Sequence, residues 1–547
     1  MARLLLRRGI TTPEEAHAFL NPSFDQLADS FLLPDALPAV ERIQQAIQRR
    51  EVIYVHGDYD SDGVTSAALW ARLLRRLGAE VKVHVPHRRR DGYDLRSPFV
   101  AHAKAEGAKL ILTADCGIQR CDEVQMAREA GIDVIITDHH EPGEQLPRAV
   151  AVVNPHRKDS RYPFADLAGA GVAYRLGEAL VRHLGLPVDS YRRMYADLAA
   201  IGTVTDIMPI LHENRIIVKH GLHSLAKTKK PGLRALLQDT GLDKKPLDAE
   251  HIGYIIGPRL NAVGRIDDSR LALELLLTPD PMEATQLVAK LASANASRQR
   301  EQAQILQEAQ HQIATRDLQK TACLVLSSDS WHPGVIGIVA SKLVELYHRP
   351  TILIATDPEA GQGRGSARSI RAFDLYRAIV ACRHRLLEHG GHSHAAGFSI
   401  RNEEVPAFAE EMNHIAATTL SEEDFLPTIY IDAEIEAAQV TYELLKELSA
   451  FEPWGRGNPQ PLLLSRGLEL REVRRFGPEK AHLRLYLRGP NSPTVEAMMW
   501  HAGNLAENLR PGMYVDVCYS PKLSAFNELE SIRFEIEDIR PSGGEEG

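Results

Sequence analysis

Between residue 51 and about residue 155, short apolar runs of strand type (EVIYVHG, EVKVHV, KLILTAD, IDVIITD, AVAVVN) alternate with helical patterns such as VTSAALWARLLRRLG. Parallel strands need crossover helices, so the alternation predicts a parallel sheet with helices on both faces. In such sheets ligands collect outside the carboxyl ends of the strands. The ionisable residues of this stretch fall at those ends: His56, Asp58, Asp60 and Asp62 in HGDYDSDG, Asp115 in TADCG, and Asp138, His139 and His140 in TDHH. A further carboxylate, Asp206 in GTVTDIMP, follows a predicted helix.

Carboxylate oxygens suit Mg²⁺ and Mn²⁺, imidazole is accepted by Mn²⁺, and two ions about 3.5 to 4 Å apart need a shared carboxylate. The residues can be sorted accordingly: His56 and Asp60 for one ion, Asp62, His139 and Asp206 for the other, and Asp115 as the bridge. Any one Asp after a strand is an ordinary turn or helix-capping residue. A crowd of carboxylates at neighbouring strand ends repels itself unless cations neutralise it. Asp58 is read either as a residue fixing His56 or as a turn residue. Expected cofactors are therefore two divalent metal ions, Mn²⁺ first and Mg²⁺ second.

The chain has 547 residues, too many for one hydrophobic core. The expected class is α/β with a C-terminal β-barrel. A parallel-sheet domain with its N-terminal segment covers 1–281, and the Ala-, Gln- and Glu-rich stretch 282–317 is a connecting helix. A second α/β domain follows over 318–420, and β-rich runs from TIYIDAEI to MYVDVCYS form a small barrel over 428–540. Five cysteines without a CxxC pair argue against a disulfide framework and a zinc ribbon. No apolar run reaches the ~20 residues of a membrane span, and MARLLLRRGITTPEEAHAFL lacks the apolar centre of a signal peptide. A cytoplasmic monomer without a membrane partner is expected. The net charge of -9 does not exclude a nucleic-acid partner, because carboxylates that hold cations count toward it.

HGDYDSDG, TADCG, TDHHEP and GTVTDIMP resemble the four successive motifs of the DHH phosphoesterases. GPRLNAVGRI (257–266), SWHPGVIGIVASKL (330–343), GRGSARSI (363–370) and GGHSHAAGFSI around His392 are similar to the later motifs of the RecJ branch, the single-strand-specific 5′ exonucleases. FEPWGRGNPQP (451–461) is similar to the entry of that family's OB-fold domain. The resemblance implies a DHH domain, a DHHA1-type second domain and an OB fold. It implies metal ligation by His56, Asp60, Asp62, Asp115, His139 and Asp206, with His140 beside the metals and able to meet a phosphate oxygen.

The resemblance also implies substrate contacts by Arg88, Arg259, Asn261, Arg265, Ser366, Arg368 and His392, types that grip phosphate well. Where relatives commonly read GYG this chain has GYD at 92–94, which places an extra carboxylate, Asp94, beside the loop of Arg88. Phe451, Trp454, Tyr486, Trp500, Tyr514 and Phe526 are candidate stacking platforms, with about half of them expected inside the barrel. The implied activity is metal-dependent removal of nucleotides from the 5′ end of single-stranded DNA in repair and recombination. A single-strand-binding protein and a helicase are the implied partners. Other DHH enzymes, acting on short oligonucleotides, cyclic dinucleotides or pyrophosphate, are rivals that need no OB barrel. A non-catalytic binding protein would have lost ligands, and every metal motif is intact here.

Overall fold

The computed structural model describes residues 1–87, 92, 94–266, 269–526 and 529–543, the side chains of 265, 266, 524–526, 529 and 530 excepted. The chain divides into two compact units, one mainly of residues 1–86, 91–257 and 430–547, the other mainly of 258–429. Among the described residues no helix is long and apolar enough to cross a membrane.

In the first unit β1 (Val52–Gly57), β2 (Val81–His84), β3 (Ala108–Ala114), β4 (Asp133–Thr137) and β5 (Ala151–Val153) form a parallel sheet in the order β2-β1-β3-β4-β5. This is the sheet that the alternation predicts. Strands β1, β3 and β4 are neighbours, and the ladder continues past their ends. The Asp58 N–H donates to the Ala114 carbonyl at 3.2 Å, Asp115 to Thr137 at 2.9 Å, and Asp138 to Val153 at 3.2 Å. Backbone bonding thus carries the acidic residues of three strands to one rim. Between sheet and helices runs the helix Ser61–Arg76, in which every residue from Ser61 to Ala71 is buried. It packs against β1 and against the helices Gly169–His183 and Val188–Thr205. Small residues at Ser61, Gly63, Ser66, Ala67, Ala68 and Ala71 permit that close approach on all sides.

The second unit contains the helix Pro281–Ala314, capped by the Asp280 carboxylate at the Met282 N–H and burying only a sparse stripe. It also holds a sheet of β6 (Leu324–Ser328), β7 (Thr351–Asp357), β8 (Gln362–Arg368), β9 (Leu386–His392) and β10 (Ala395–Arg401), in the order β6-β7-β8-β10-β9. Only β6 and β7 are parallel; the other pairs are antiparallel. GRGSARSI and GGHSHAAGFSI are therefore strands of one sheet. Glycine supplies the close backbone approach they need: a Cβ on Gly391 would lie 2.5 Å from the Ala395 carbonyl.

Back in the first unit, β11 (Ala433–Glu434), β12 (Leu463–Phe476), β13 (His482–Arg488), β14 (Thr494–Met499), β15 (Tyr514–Phe526) and β16 (Leu529–Pro541) form a sheet that closes through β12–β15 pairing. The closed ring has five strands. β11 is a two-residue addition to β12, much shorter than the run TIYIDAEI predicts. The interior is filled by leucines of β12 and β13 and by Tyr519 stacked on Phe534, centroids 3.8 Å apart.

Candidate metal centre

At the carboxyl end of β1 the chain turns directly into the helix Ser61–Arg76. Asp60 is its N-cap: Oδ1 accepts from the Asp62 and Gly63 N–H groups at 2.9 and 3.1 Å. The capping role and the candidate ligand role coexist, since Oδ2 is left for other partners. Gly63 is required by close packing, because a Cβ there would lie 2.6 Å from the Asp58 backbone. Asp62 points back toward the start of the helix Gly169–His183. Its Oδ2 accepts from the Gly169 N–H at 2.6 Å and its Oδ1 from the Ala170 N–H at 2.9 Å. Asp115 follows β3 directly, in the left-handed region at φ +69°, where a non-glycine residue is uncommon.

Three groups of ligand atoms converge, each within 4.8 Å: Asp62, His139 and Asp206; Asp115, His139 and His140; and Asp58, Asp60 and Asp115. His139 Nε2 stands 3.1 Å from Asp115 Oδ1, 3.6 Å from Asp206 Oδ2 and 3.9 Å from Asp62 Oδ2. Asp115 belongs to two of the groups. His56 belongs to none, and Asp58 converges with Asp60 and Asp115 in its stead. His56 is nonetheless buried on the same rim, its Nε2 making no hydrogen bond among the described residues, while its Nδ1 lies 3.1 Å from His84 Nδ1. His84, which sequence reasoning missed, and the Asp94 backbone thus orient His56.

The electrostatics describe a site short of positive charge. Burial, then the neighbouring carboxylates led by Asp62, pushes Asp115 well above the ordinary carboxylate range. Burial and Asp62 do the same to Asp206, and burial and Asp60 to Asp58. Burial and Asp60 raise Asp62 to about 7, against the two N–H groups that favour its charge. Burial lowers His139 to about 3 with the help of His140, and lowers His56 to about 3 with the help of His84, so both imidazoles are neutral. A divalent cation answers all of these at once.

The residues fit such an ion. Among the described residues the buried atoms His56 Nε2, Asp58 Oδ1 and Asp115 Oδ1 make no hydrogen bond, and the donors are the carboxylate and imidazole groups that Mg²⁺ and Mn²⁺ accept. Glycines keep the space: a Cβ on Gly169 would lie 2.6 Å from Asp115 Oδ1, and one on Gly202 2.3 Å from Asp62 Oδ1.

Asp138 has a different part. Its Oδ1 accepts from the His139 and His140 N–H groups and from His140 Nδ1 at 2.7 Å, and its Oδ2 accepts from Ile118 N–H. Burial alone would lower the His140 pKa, but the bond to Asp138 and the carboxylates around it raise it to about 9. His140 is therefore a cation at neutral pH beside the acidic rim, with 40 % of its side chain exposed. Asn154 Nδ2 and His156 Nδ1 bind the carbonyls of His140 and His139 at 2.8 and 2.6 Å and fix the pair from behind.

Further candidates belong to other elements. Arg88 and the Arg265 side chain fall outside the described residues. Arg259 and Asn261 sit half-buried on the helix Gly257–Ile266. Within the second unit Arg364, Ser366 and Arg368 share the face of β8 turned away from its buried positions. A Cβ on Gly337, at the start of the helix Ile336–Tyr347, would lie 2.8 Å from Ser366 Oγ and 3.1 Å from Arg368 Nη2. The register Arg368↔Ala395↔His392 puts Arg368 and the exposed His392 in one row of the sheet. Asp94 is buried and ion-paired with Arg120 at 2.7 Å, at φ +70°, the left-handed region that favours glycine.

The aromatic candidates need correction. Phe451 is fully buried among Leu4, Leu5 and Leu448 and offers no stacking surface; Trp454 lies half-buried over it. Both precede the barrel strands. Trp500 and Tyr514 are exposed, and Tyr486 is half-exposed under Arg474. Phe476 and His482, unnoticed in the sequence, flank Trp500. The Phe526 side chain lies outside the described residues.

The chain matches the family models of the DHH family N-terminal domain over 52–203, the DHHA1 domain over 320–418 and the RecJ OB domain over 431–538. It is 38% identical over 542 residues to the single-stranded-DNA-specific exonuclease RecJ of Bacillus subtilis, covering 99% of this chain and 68% of that protein. The corresponding Thermus thermophilus protein is 36% identical over 90% of this chain and 71% of its own length. The crystal structure of RecJ in complex with Mn²⁺ from Thermus thermophilus superposes with a TM-score of 0.84 at 33% identity, covering 100% of this chain and 76% of that one. The Mg²⁺ complex from the same organism gives 0.77 at 31% identity, with 98% and 74% covered. On its three matched domains and on identity that runs nearly from end to end, the chain belongs to the RecJ family.

Proposed function

We propose that this protein is a metal-dependent exonuclease that degrades single-stranded DNA from the 5′ end. The observation that carries the reading is the convergence of Asp58, Asp60 and the neutral imidazole of His139 on the buried Asp115, in a chain whose relatives are single-stranded-DNA-specific exonucleases and whose solved relatives hold Mn²⁺ or Mg²⁺. Asp60, Asp62, Asp115, His139 and Asp206 would hold two divalent ions, with Asp58 as well as His56 available to the first. Bound there, such ions lower the pKa of an attacking water and stabilise charge on the scissile phosphate and its leaving oxygen.

The residues of the chain set the stage. Gly169 and Ala170 orient both oxygens of Asp62, and His84 orients His56. Cationic His140, clamped by Asp138, offers its exposed edge to a phosphate oxygen. Arg259, Asn261, Arg265, Ser366, Arg368 and His392 are phosphate contacts in this proposal, with Arg265, Ser366 and Arg368 enclosing the terminal phosphate that an internal diester lacks. The barrel's exposed Trp500 and Tyr514 suit stacking with bases of a long strand. Action in the cytoplasm as a monomer, beside a single-strand-binding protein and a helicase, belongs to the same proposal; five unpaired cysteines are in keeping with a reducing compartment.

The test is direct. Purified protein with Mn²⁺ is given 5′-labelled and 3′-labelled single strands and a blunt duplex. Labelled mononucleotide should appear at once from the 5′ label and late from the 3′ label, and the duplex should persist. Early release from the 3′ label overturns the polarity, and internal cutting overturns the exonuclease reading.

A further inference from the structure

Residues 451–459 lead into the barrel, yet they are fastened to the metal-bearing part of their own unit. The buried Arg215 donates from Nη1 to the Phe451 carbonyl at 2.6 Å and from Nη2 to that of Ala450 at 3.0 Å. Asn458, fully buried, donates from Nδ2 to the carbonyls of Phe451 and Pro453 at 2.8 and 2.9 Å, and its Oδ1 accepts from Arg8 Nε at 2.9 Å. Gly455 and Gly457 press on the segment that follows Asp206: a Cβ would lie 2.7 Å from Ile210 and 3.1 Å from Leu211 respectively. Gly457 also holds φ +78°.

Between these glycines stands Arg456. Its carbonyl accepts from the Ile210 N–H at 2.7 Å, and its Nη1 donates to the Ile207 carbonyl at 3.2 Å. The guanidinium is therefore tethered one residue from Asp206. It is exposed, forms no ion pair among the described residues, and leaves Nε and Nη2 without a hydrogen bond there. An arginine that merely balanced the acidic rim would close on a carboxylate; this one is held beside the rim with donors to spare.

We propose that Arg456 is a substrate-binding residue of the metal centre, contacting a backbone phosphate of the strand on the Asp206 side, so that the segment entering the barrel completes the active site. The inference rests on the single-strand exonuclease reading.

Full-length parent, Arg456→Ala and Arg456→Lys are compared in two measurements: Mn²⁺ titration calorimetry without DNA, and single-strand affinity over a salt series with Ca²⁺ replacing Mn²⁺ to prevent cutting. For Arg456→Ala, Mn²⁺ affinity should hold while affinity for both a four-nucleotide and a long strand falls about tenfold, the scale of one charge-assisted contact. The slope of log affinity against log salt should flatten by about 0.7, one phosphate contact on a single strand. Arg456→Lys should recover the slope and part of the affinity. An unchanged slope in Arg456→Ala overturns the proposal, and a fall in Mn²⁺ affinity with DNA binding intact makes Arg456 a tether for Asp206 instead. A parent that binds no single strand overturns the exonuclease reading, and this inference with it.

Discussion

Gly169 touches no substrate in any reading of this protein, yet a single methyl group there should disable it. An alanine Cβ at 169 would lie 2.5 Å from Asp115 Cβ, 2.7 Å from its Cγ and 2.6 Å from Oδ1. Ordinary carbon contacts need about 3.5 to 4.0 Å, so the carboxylate must retreat by roughly 1 Å. It has little freedom to do so, being 2 % exposed, held at φ +69° and faced by His139 at 3.1 Å. Overpacking costs about 1 to 3 kcal/mol. Gly169 is the first residue of its helix, where alanine returns less than the ~1 kcal/mol of a helix interior, so folding should suffer by up to about 3 kcal/mol. Misplacing a catalytic group by about 1 Å costs on the order of a hundredfold in rate. Gly169→Ala should therefore still fold, with a urea midpoint moderately below the parent's, while turnover on single strands falls about a hundredfold and calorimetry shows weaker Mn²⁺ binding. Gly171→Ala is the control, since the nearest atoms to its Cβ are those of Leu167, at 3.3 Å or more. Turnover and Mn²⁺ affinity of Gly169→Ala within about twofold of the parent, well short of the hundredfold loss, would show that Asp115 is not held in place by its surroundings.

Asp115→Asn keeps a residue that tolerates positive φ and should melt no lower than the parent in metal-free buffer, yet hydrolyse nothing at any Mn²⁺ concentration; retained turnover removes Asp115 from the centre. His56→Ala, by contrast, should regain part of its rate in excess Mn²⁺. A chain ended before residue 430 should melt well below the full chain, because Arg215 loses three carbonyl contacts to Ala450, Phe451 and Pro453 and the buried Phe451 is gone. The Arg215 contacts alone are worth about 1.5 to 3 kcal/mol each at most. An unchanged melting temperature would show that the 450–458 segment is dispensable. A 5′-phosphorylated strand should be cut faster than a 5′-hydroxyl strand, and Arg368→Ala should remove about ten- to a hundredfold of that preference, read from paired kcat/KM values.

The parallel sheet and its acidic rim are legible because a period-two or continuous apolar run ends abruptly in charge, a local signal. His84 is not, since its link to His56 is a register partnership between β1 and β2 that no spacing reveals. Nor are the Gly169 and Ala170 amides, which reach Asp62 from more than a hundred residues away. In DHH, the sequence leaves Asp138 without a role, and only the hydrogen bonds show that it spends both oxygens on N–H groups. Phe451 misleads because aromatic content at a barrel entry looks like a binding face, whereas burial depends on the N-terminal helix packed over it. Arg456 escapes notice because a lone arginine in a glycine loop carries no pattern of its own.

The helix Ser61–Arg76 is enclosed for its first eleven residues and opens only near Arg72, Arg75 and Arg76. Neutral drift in a lineage needs positions where a new side chain meets water, and this helix offers them only toward its C-terminal end. Every change nearer its start must be matched by a second change in β1 or in a neighbouring helix before it can be tolerated. Asp60 and Asp62 sit at the end where such paired steps are hardest, so enclosure restrains the loop that carries them as firmly as the demands of its chemistry do.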